Sequence, residues 1–221
     1  MKLYKYLALE YAERMLSKGE VLFRSLSHFQ NLERDGVRQD DYEGILSHRP
    51  PEGLEINNIT TGETLKLPHR FESEARVDKI FVACFSCELS SELASEFGAD
   101  ACVEVTDHIK LVARVRGALR LRAAVDKKVL PFGLVEYQTG QEPPIIDWAL
   151  PEKIVMRKRM EYQRQNEFRI AFAVDEAFAV ENVALRLQYG EPSRSAPQEH
   201  YPEYLLKLGN MSKFGHIHRF A

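Results

Sequence analysis

The feature that most constrains the fold is the segment Ile80–Cys87, which is apolar except for Ser86. A strand with only one buried face alternates apolar and polar side chains, so a continuous apolar run predicts a strand that is covered on both faces. Segments with alternating apolar residues lie before and after it, among them Lys2–Leu7, Val21–Leu26 and Glu167–Val174. These segments predict a sheet built around one buried central strand.

The remaining predicted elements are short. Ala8–Lys18 is predicted to be a helix, because its apolar residues share one side at helical spacing and Gly19 follows as a stop. Residues 52–67 resemble a β-hairpin that turns at Thr61 and Gly62, and Lys153–Gln165 is interpreted as a helix. Many short strands with few helices indicate one α+β domain over residues 1–221, with a mixed, mainly antiparallel sheet flanked by a few helices. The Pro- and Ser-rich residues from 191 onward leave open whether 191–221 joins that domain or forms an extended tail.

Composition indicates the cellular compartment in which the protein is expected to work. The chain has three cysteines, which are too few for a disulfide scaffold, and an odd number cannot all be paired within one chain. This favours a reducing compartment. The first residues, MKLYKYLALEYAERM, lack the apolar run of an export signal, and no apolar run approaches the ~20 residues that cross a bilayer. We therefore expect a cytoplasmic protein with no membrane partner.

Cysteine and histidine spacing does not favour a metal site. Cys84 and Cys87 have the spacing of a zinc ligand pair, and Cys102 and the two histidines near the end could complete it. In a strand, however, residues three apart point to opposite faces. Buried core cysteines are the preferred interpretation, and no metal is predicted.

The net charge is −3, which gives no overall nucleic-acid signature, but the charge is unevenly distributed. The segments 110–128 and 157–169 are rich in Lys and Arg. One interpretation is a pair of solvated faces. The other is a positive surface for nucleic acid or for a protein acceptor.

A line of polar residues lies at the start of the strand Glu167–Val174. Gln165, Glu167 and Arg169 are two apart, so they share one side of an extended segment whose other side is apolar. Such a group is either a solvent-facing edge or part of a site. Arg24 lies within an otherwise apolar strand and would need an anionic ligand or a carboxylate such as Glu43 or Glu167, unless it is exposed at a sheet edge.

Several short motifs resemble an uncharacterised family of bacterial and phage-associated proteins found near defence and toxin–antitoxin genes. They are LYKY at residue 3, LFRS at 22, DDYEG at 40, VACFS at 82 and KRMEYQRQNEFR at 158. The resemblance covers residues 3 to about 172 and implies no established activity.

A more distant pattern resembles the ADP-ribosyltransferases, which place Arg or His on an early strand, Ser or Tyr on a middle strand and Gln/Glu-x-Glu before a late strand. Arg24, Ser86 and Gln165-x-Glu167 follow that order. The resemblance implies NAD as cofactor, with Glu167, Gln165 and Ser86 catalytic. It implies that Glu167 stabilises the positive charge that develops on the ribose as nicotinamide leaves. The predicted cofactor-binding residues are Arg24, Tyr4, Tyr162, Arg169 and Glu43.

Two functional hypotheses follow. The first is an NAD-dependent transferase that modifies a macromolecule in phage defence or toxin–antitoxin conflict. The second is a non-catalytic module of a defence system that binds nucleic acid or a protein partner through the two basic segments.

Overall fold

The structure is a computed structural model that describes residues 1–31, 39–190 and 198–220. It has the predicted α+β architecture, with one large, mainly antiparallel sheet and three smaller sheets over the described residues. The strands are β1 (Leu3–Leu7), β2 (Glu20–Ser25), β3 (Ile45–His48), β4 (Leu54–Asn57), β5 (Thr64–Leu67), β6 (Arg70–Glu74), β7 (Ile80–Ser86), β8 (Ala101–Val105), β9 (Phe132–Leu134), β10 (Glu136–Gln138), β11 (Arg157–Arg159), β12 (Glu167–Ala173), β13 (Ala184–Gln188), β14 (Glu203–Lys207) and β15 (Gly215–Arg219). The α-helices are α1 (Leu9–Lys18), α2 (Leu26–Gln30), α3 (Ser91–Glu96), α4 (His108–Leu119) and α5 (Pro151–Ile154).

Strand β7 is the centre of the large sheet, as its apolar sequence predicts. Along one edge it pairs with β12 over its whole length. Along the other edge it pairs with β1 at Ser86 and with β2 at Val82 and Phe81. Strands β1 and β2 therefore separate beside the middle of β7, and the sheet splits into a half that continues through β8 to β15 and a half that ends at β14.

The two faces of the large sheet are covered by different chemistry. The face that we call the aromatic face carries Phe23, Phe81, Phe85, Phe168 and Phe172, and the buried sides of α1 and α4 pack on it. The opposite face, here the charged face, carries Cys84, Ser86, Glu167 and Arg169. Apolar residues from α5 and from the loops cover the neighbouring part of the charged face.

Several local predictions are confirmed. Helix α1 ends at Gly19, whose φ of 68° is the left-handed conformation that a glycine adopts without strain. A Cβ at that position would also collide with the backbone of Gly209. Strands β4 and β5 form the predicted hairpin, and β7 and β12 coincide with the two most apolar predicted strands.

One of the local predictions is wrong. Lys153–Gln165 is not one helix: α5 ends at Ile154, β11 follows, and a 3₁₀ helix covers Met160–Gln165. The backbone of β11 pairs in parallel with β10, and this tertiary pairing overrides the local helical pattern. For 191–221, where the sequence left open a tail or a part of the domain, the described residues 198–220 contribute β14 and β15 to the large sheet. Residues 191–197 of that segment lie outside the described residues.

Candidate functional site

A line of polar side chains crosses five neighbouring strands of the charged face. The strand register pairs Glu167 with Ser86, Ser86 with Tyr4, Tyr4 with Glu104, and Glu104 with His216. Directly paired residues in antiparallel strands point to the same face. At ~4.8 Å between strands, this polar row is about 20 Å long. Three residues of the sequence prediction, Tyr4, Ser86 and Glu167, are thus consecutive members of one row.

The buried carboxylate of Glu167 forms ion pairs with two cationic side chains. Its Oε1 accepts from Arg169 Nε at 2.5 Å, and its Oε2 accepts from Lys158 Nζ at 3.0 Å. The side chain is 4% exposed. Burial alone would raise the pKa of Glu167, but the guanidinium and the ammonium lower that pKa well below its ordinary value. The carboxylate is therefore ionised at neutral pH.

Arg169 continues the network towards a distant loop. Its Nη1 and Nη2 donate to the two carboxylate oxygens of Glu43 at 2.6 and 2.7 Å, and Nη1 also donates to the Val155 carbonyl at 2.6 Å. Both side chains are 1% exposed. This two-pronged geometry satisfies a guanidinium that would otherwise be very costly to bury. Glu43 is therefore joined to Glu167 through Arg169.

Asp40 lies next to this network. It is buried, and its Oδ1 accepts from the Tyr42 backbone N–H at 3.0 Å. Burial and the nearby Glu43 raise the pKa of Asp40 to about 7, while Lys158 and Arg169 act in the opposite direction. The network therefore contains one carboxyl group that titrates near neutral pH.

Sequence reasoning missed Lys158 as a site residue. The residue was assigned only to a basic segment of a predicted helix, yet its ammonium is buried and also donates to Gln165 Oε1 at 2.9 Å. Lys158 Nζ lies 4.7 Å from the centre of the Tyr162 ring. The Tyr162 hydroxyl donates to the Gln39 carbonyl. Gln165, Tyr162 and Glu167 are thus all in contact with Lys158. No local pattern distinguishes Lys158 from its basic neighbours.

Arg24 lies away from the other predicted site residues. It pairs with Val82, four residues along β7 from Ser86, a distance of ~13 Å in an extended strand. Its Nη1 is 3.7 Å from Glu203 Oε2, and the side chain is 40% exposed. The carboxylate beside Arg24 is therefore Glu203 on β14, and neither Glu43 nor Glu167, the two partners that we proposed from the sequence.

At the far end of the polar row, the Glu104 carboxylate contacts His218 and Lys2. Glu104 Oε2 is 2.9 Å from His218 Nε2, and Glu104 Oε1 is 2.8 Å from Lys2 Nζ. The ring of Tyr4 lies 6.4 Å from that of His218. The Tyr4 hydroxyl makes no hydrogen bond within residues 1–31, 39–190 and 198–220, so it is the row's free hydroxyl in that part of the chain.

The helical part of the first basic segment and Lys158 of the second lie on opposite faces of the large sheet. Helix α4, at the start of segment 110–128, packs on the aromatic face, whereas Lys158 contacts Glu167 on the charged face. Arg114 is occupied within the fold, since it donates to the carbonyls of Leu208, Gly209 and Asn210.

The three cysteines are free thiols, and Cys84 lies on the charged face near Glu167, where burial raises the pKa of its thiol to about 12. Within the described ranges, no group of three or more His, Cys, Asp or Glu side chains is arranged to hold a metal ion. None of the helices in those ranges is long and apolar enough to cross a membrane.

Comparison of the chain with protein-family models, with curated proteins and with solved structures finds no match. Function is therefore argued from the side chains that the fold brings together.

Proposed function

We propose that the protein is an NAD-dependent ADP-ribosyltransferase-like enzyme that uses Glu167 as its essential carboxylate and modifies a macromolecule. The observation that carries the proposal is the register of Tyr4, Ser86 and Glu167 on three adjacent strands, at the point where β1 and β2 separate. The ADP-ribosyltransferase pattern likewise draws its polar residues from an early, a middle and a late strand. Tyr4, and not Arg24, is the early-strand residue in register with Ser86.

The chemistry needs an anionic group beside the ribose. In the reaction, the bond from C1′ to the nicotinamide nitrogen breaks, and nicotinamide leaves with the electron pair. The positive charge that develops on the ribose is stabilised by a nearby carboxylate, and an oxygen or nitrogen of the acceptor then bonds to C1′ and releases its proton to water. Arg169 and Lys158 keep Glu167 ionised for this role.

The burial of Glu167 sets a condition on this mechanism. Gln165, at the end of the 3₁₀ helix Met160–Gln165, shares Lys158 with Glu167. NAD must therefore displace part of this 3₁₀ helix to reach the carboxylate. The ribose hydroxyls would then replace the contact between Lys158 and Gln165, and Gln165 would be freed to orient the acceptor.

A test measures nicotinamide release from NAD, with and without a mixture of protein and nucleic-acid acceptors. The Glu167→Gln variant should lose activity by roughly 10²–10³-fold, as does removal of a preorganised transition-state group elsewhere. Glu104→Gln is the matched control, because Glu104 is another buried carboxylate of the same polar row and should retain most of the activity. Circular dichroism of each variant separates lost activity from lost folding.

Two results would contradict the proposal. One is wild-type protein that releases no nicotinamide and shows no thermal shift at NAD concentrations well above physiological levels. The other is equal loss of activity in Glu104→Gln and Glu167→Gln. The second candidate function, a non-catalytic binding module, is favoured by a separate observation, the cationic groove described next.

A further inference from the structure

A surface groove of about 190 Å³ lies beside the buried network, and its lining carries no carboxylate. Four of its lining residues are cations: Arg49, Arg157, Lys158 and Arg159. The other lining residues are neutral, and Gln138, Ser47 and Tyr42 among them can form hydrogen bonds. Lys158 also contacts Glu167, so the groove and the charged face share one side chain.

Arg157 is the residue that points to a ligand. Its side chain is only 6% exposed, and its Nε is 3.0 Å from Glu136 Oε2, on a carboxylate that is itself 70% exposed. Its Nη2 is 3.7 Å from Asp147 Oδ2, beyond hydrogen-bond distance. Its Nη1 is buried and has no hydrogen-bond partner among the described residues. A buried N–H group of a guanidinium that lacks an acceptor is costly, and an anionic oxygen that reached Nη1 from the groove would remove that cost.

The neighbouring cations fit the same ligand. Arg49 is exposed and forms no ion pair with any residue in the described ranges. The Arg159 guanidinium carbon is 4.7 Å from the centre of the Tyr42 ring, and Arg159 Nη2 donates to Glu161 Oε2 at 3.0 Å in a solvent-exposed ion pair that a phosphate can replace. The loop that follows Gln138 is held rigid, because Glu142 accepts from the backbone N–H groups of Thr139 and Gly140 at 2.9 Å each. The site is therefore preformed on its protein side.

We infer that this groove binds a phosphate group, and that the phosphate belongs to single-stranded nucleic acid. Planar guanidinium groups match phosphate oxygens in geometry and charge. A volume of about 190 Å³ is below the ~300–1,000 Å³ of pockets that enclose a drug-sized ligand. The groove thus accommodates a phosphate and its neighbouring sugar, while the rest of the ligand lies along the surface. This inference is independent of the transferase proposal, because binding needs neither NAD nor Glu167.

The experiment measures fluorescence anisotropy of a labelled oligothymidylate of about 12 nucleotides, in the absence of NAD, at two salt concentrations. Arg49→Gln should weaken binding by about tenfold and lower the slope of log affinity against log salt by ~1. Arg159→Gln is a second exposed variant with the same expectation, and Arg157→Gln should have the largest effect. Because Arg157 is buried, the two exposed variants keep the test valid if Arg157→Gln fails to fold.

Arg116→Gln is the matched control. Arg116 is an exposed arginine of α4, on the helix that packs against the aromatic face, and its replacement should leave the affinity unchanged. Equal weakening by Arg116→Gln and Arg49→Gln would overturn the inference, as would undetectable binding by the wild type. Competition by inorganic phosphate or NAD as effective as that by unlabelled oligothymidylate would assign the groove to a small phosphorylated ligand and overturn the nucleic-acid source.

Discussion

The two faces of β12 are both buried, but they are stabilised by different kinds of interaction. On the aromatic face, Phe168 and Phe172 are held by apolar contact, which is roughly proportional to area and has no preferred direction. On the charged face, Arg169 and Glu167 are held by hydrogen bonds with defined partners and angles. The stability of the aromatic face therefore depends on how completely apolar side chains fill its volume. The stability of the charged face depends on the geometry of its hydrogen bonds. Substitutions on the two faces should therefore fail in different ways.

The largest effect is expected where the charged face loses one partner of its innermost ion pair. Glu43→Ala leaves the Arg169 guanidinium buried without its two-pronged acceptor, and should lower the free energy of unfolding by about 3–5 kcal/mol. Glu203→Ala removes the partner of the partly exposed Arg24 and should cost only ~0–1 kcal/mol. Urea denaturation measures both. Similar values for the two variants would show that the buried pair gains nothing from its geometry.

A conservative change on each face sharpens the contrast. Ile170→Leu, on the aromatic face of β12, keeps the apolar volume and should cost less than about 1.5 kcal/mol. Arg169→Lys keeps the charge but loses the planar fork that binds Glu43 and Glu167, and should cost at least ~2 kcal/mol. Thermal and urea unfolding of the pair give the comparison. If Arg169→Lys were the milder change, charge without geometry would suffice on this face.

A pH dependence is an effect that only the charged face can produce. Because the pKa of Asp40 is raised to about 7 in the fold, its protonated form stabilises the folded state. That contribution is complete below the ordinary Asp value near 4 and is lost as pH rises through 7. Asp40→Asn removes it, so the free energy of unfolding of the wild type minus that of Asp40→Asn should fall between pH 4 and 7. A flat difference would contradict this assignment, and Ile170→Leu, compared with the wild type in the same way, should show no dependence on pH.

The sequence was sufficient to predict elements whose apolar pattern is local. The continuous run at β7, the alternation at β12 and the glycine stop after α1 each follow from side-chain period and backbone freedom. The polar line of Gln165, Glu167 and Arg169 was also visible, although not its burial. An alternating strand gives the same pattern whether its polar side meets solvent or buried partners.

Local sequence patterns could not predict contacts between residues that are distant in the chain. Arg169 meets Glu43 from 126 positions away, and Arg24 meets Glu203 on β14. Lys158 was assigned to a helix, because its segment has helical composition and the pairing of β11 with β10 depends on the rest of the fold. The roles of Tyr4, Ser86 and Glu167 in NAD chemistry stay predictions, as do NAD itself and the cytoplasmic location.

The position of β8 between β1 and β15 has a consequence for biosynthesis. Residues 101–105 lie between one strand made at the start of the chain and another more than a hundred residues further along it. While the ribosome extends the nascent polypeptide, one edge of β8 therefore has no native neighbour until Gly215–Arg219 has emerged. Pairing along that edge therefore waits for β15, and chaperone dependence during expression is expected to centre on it.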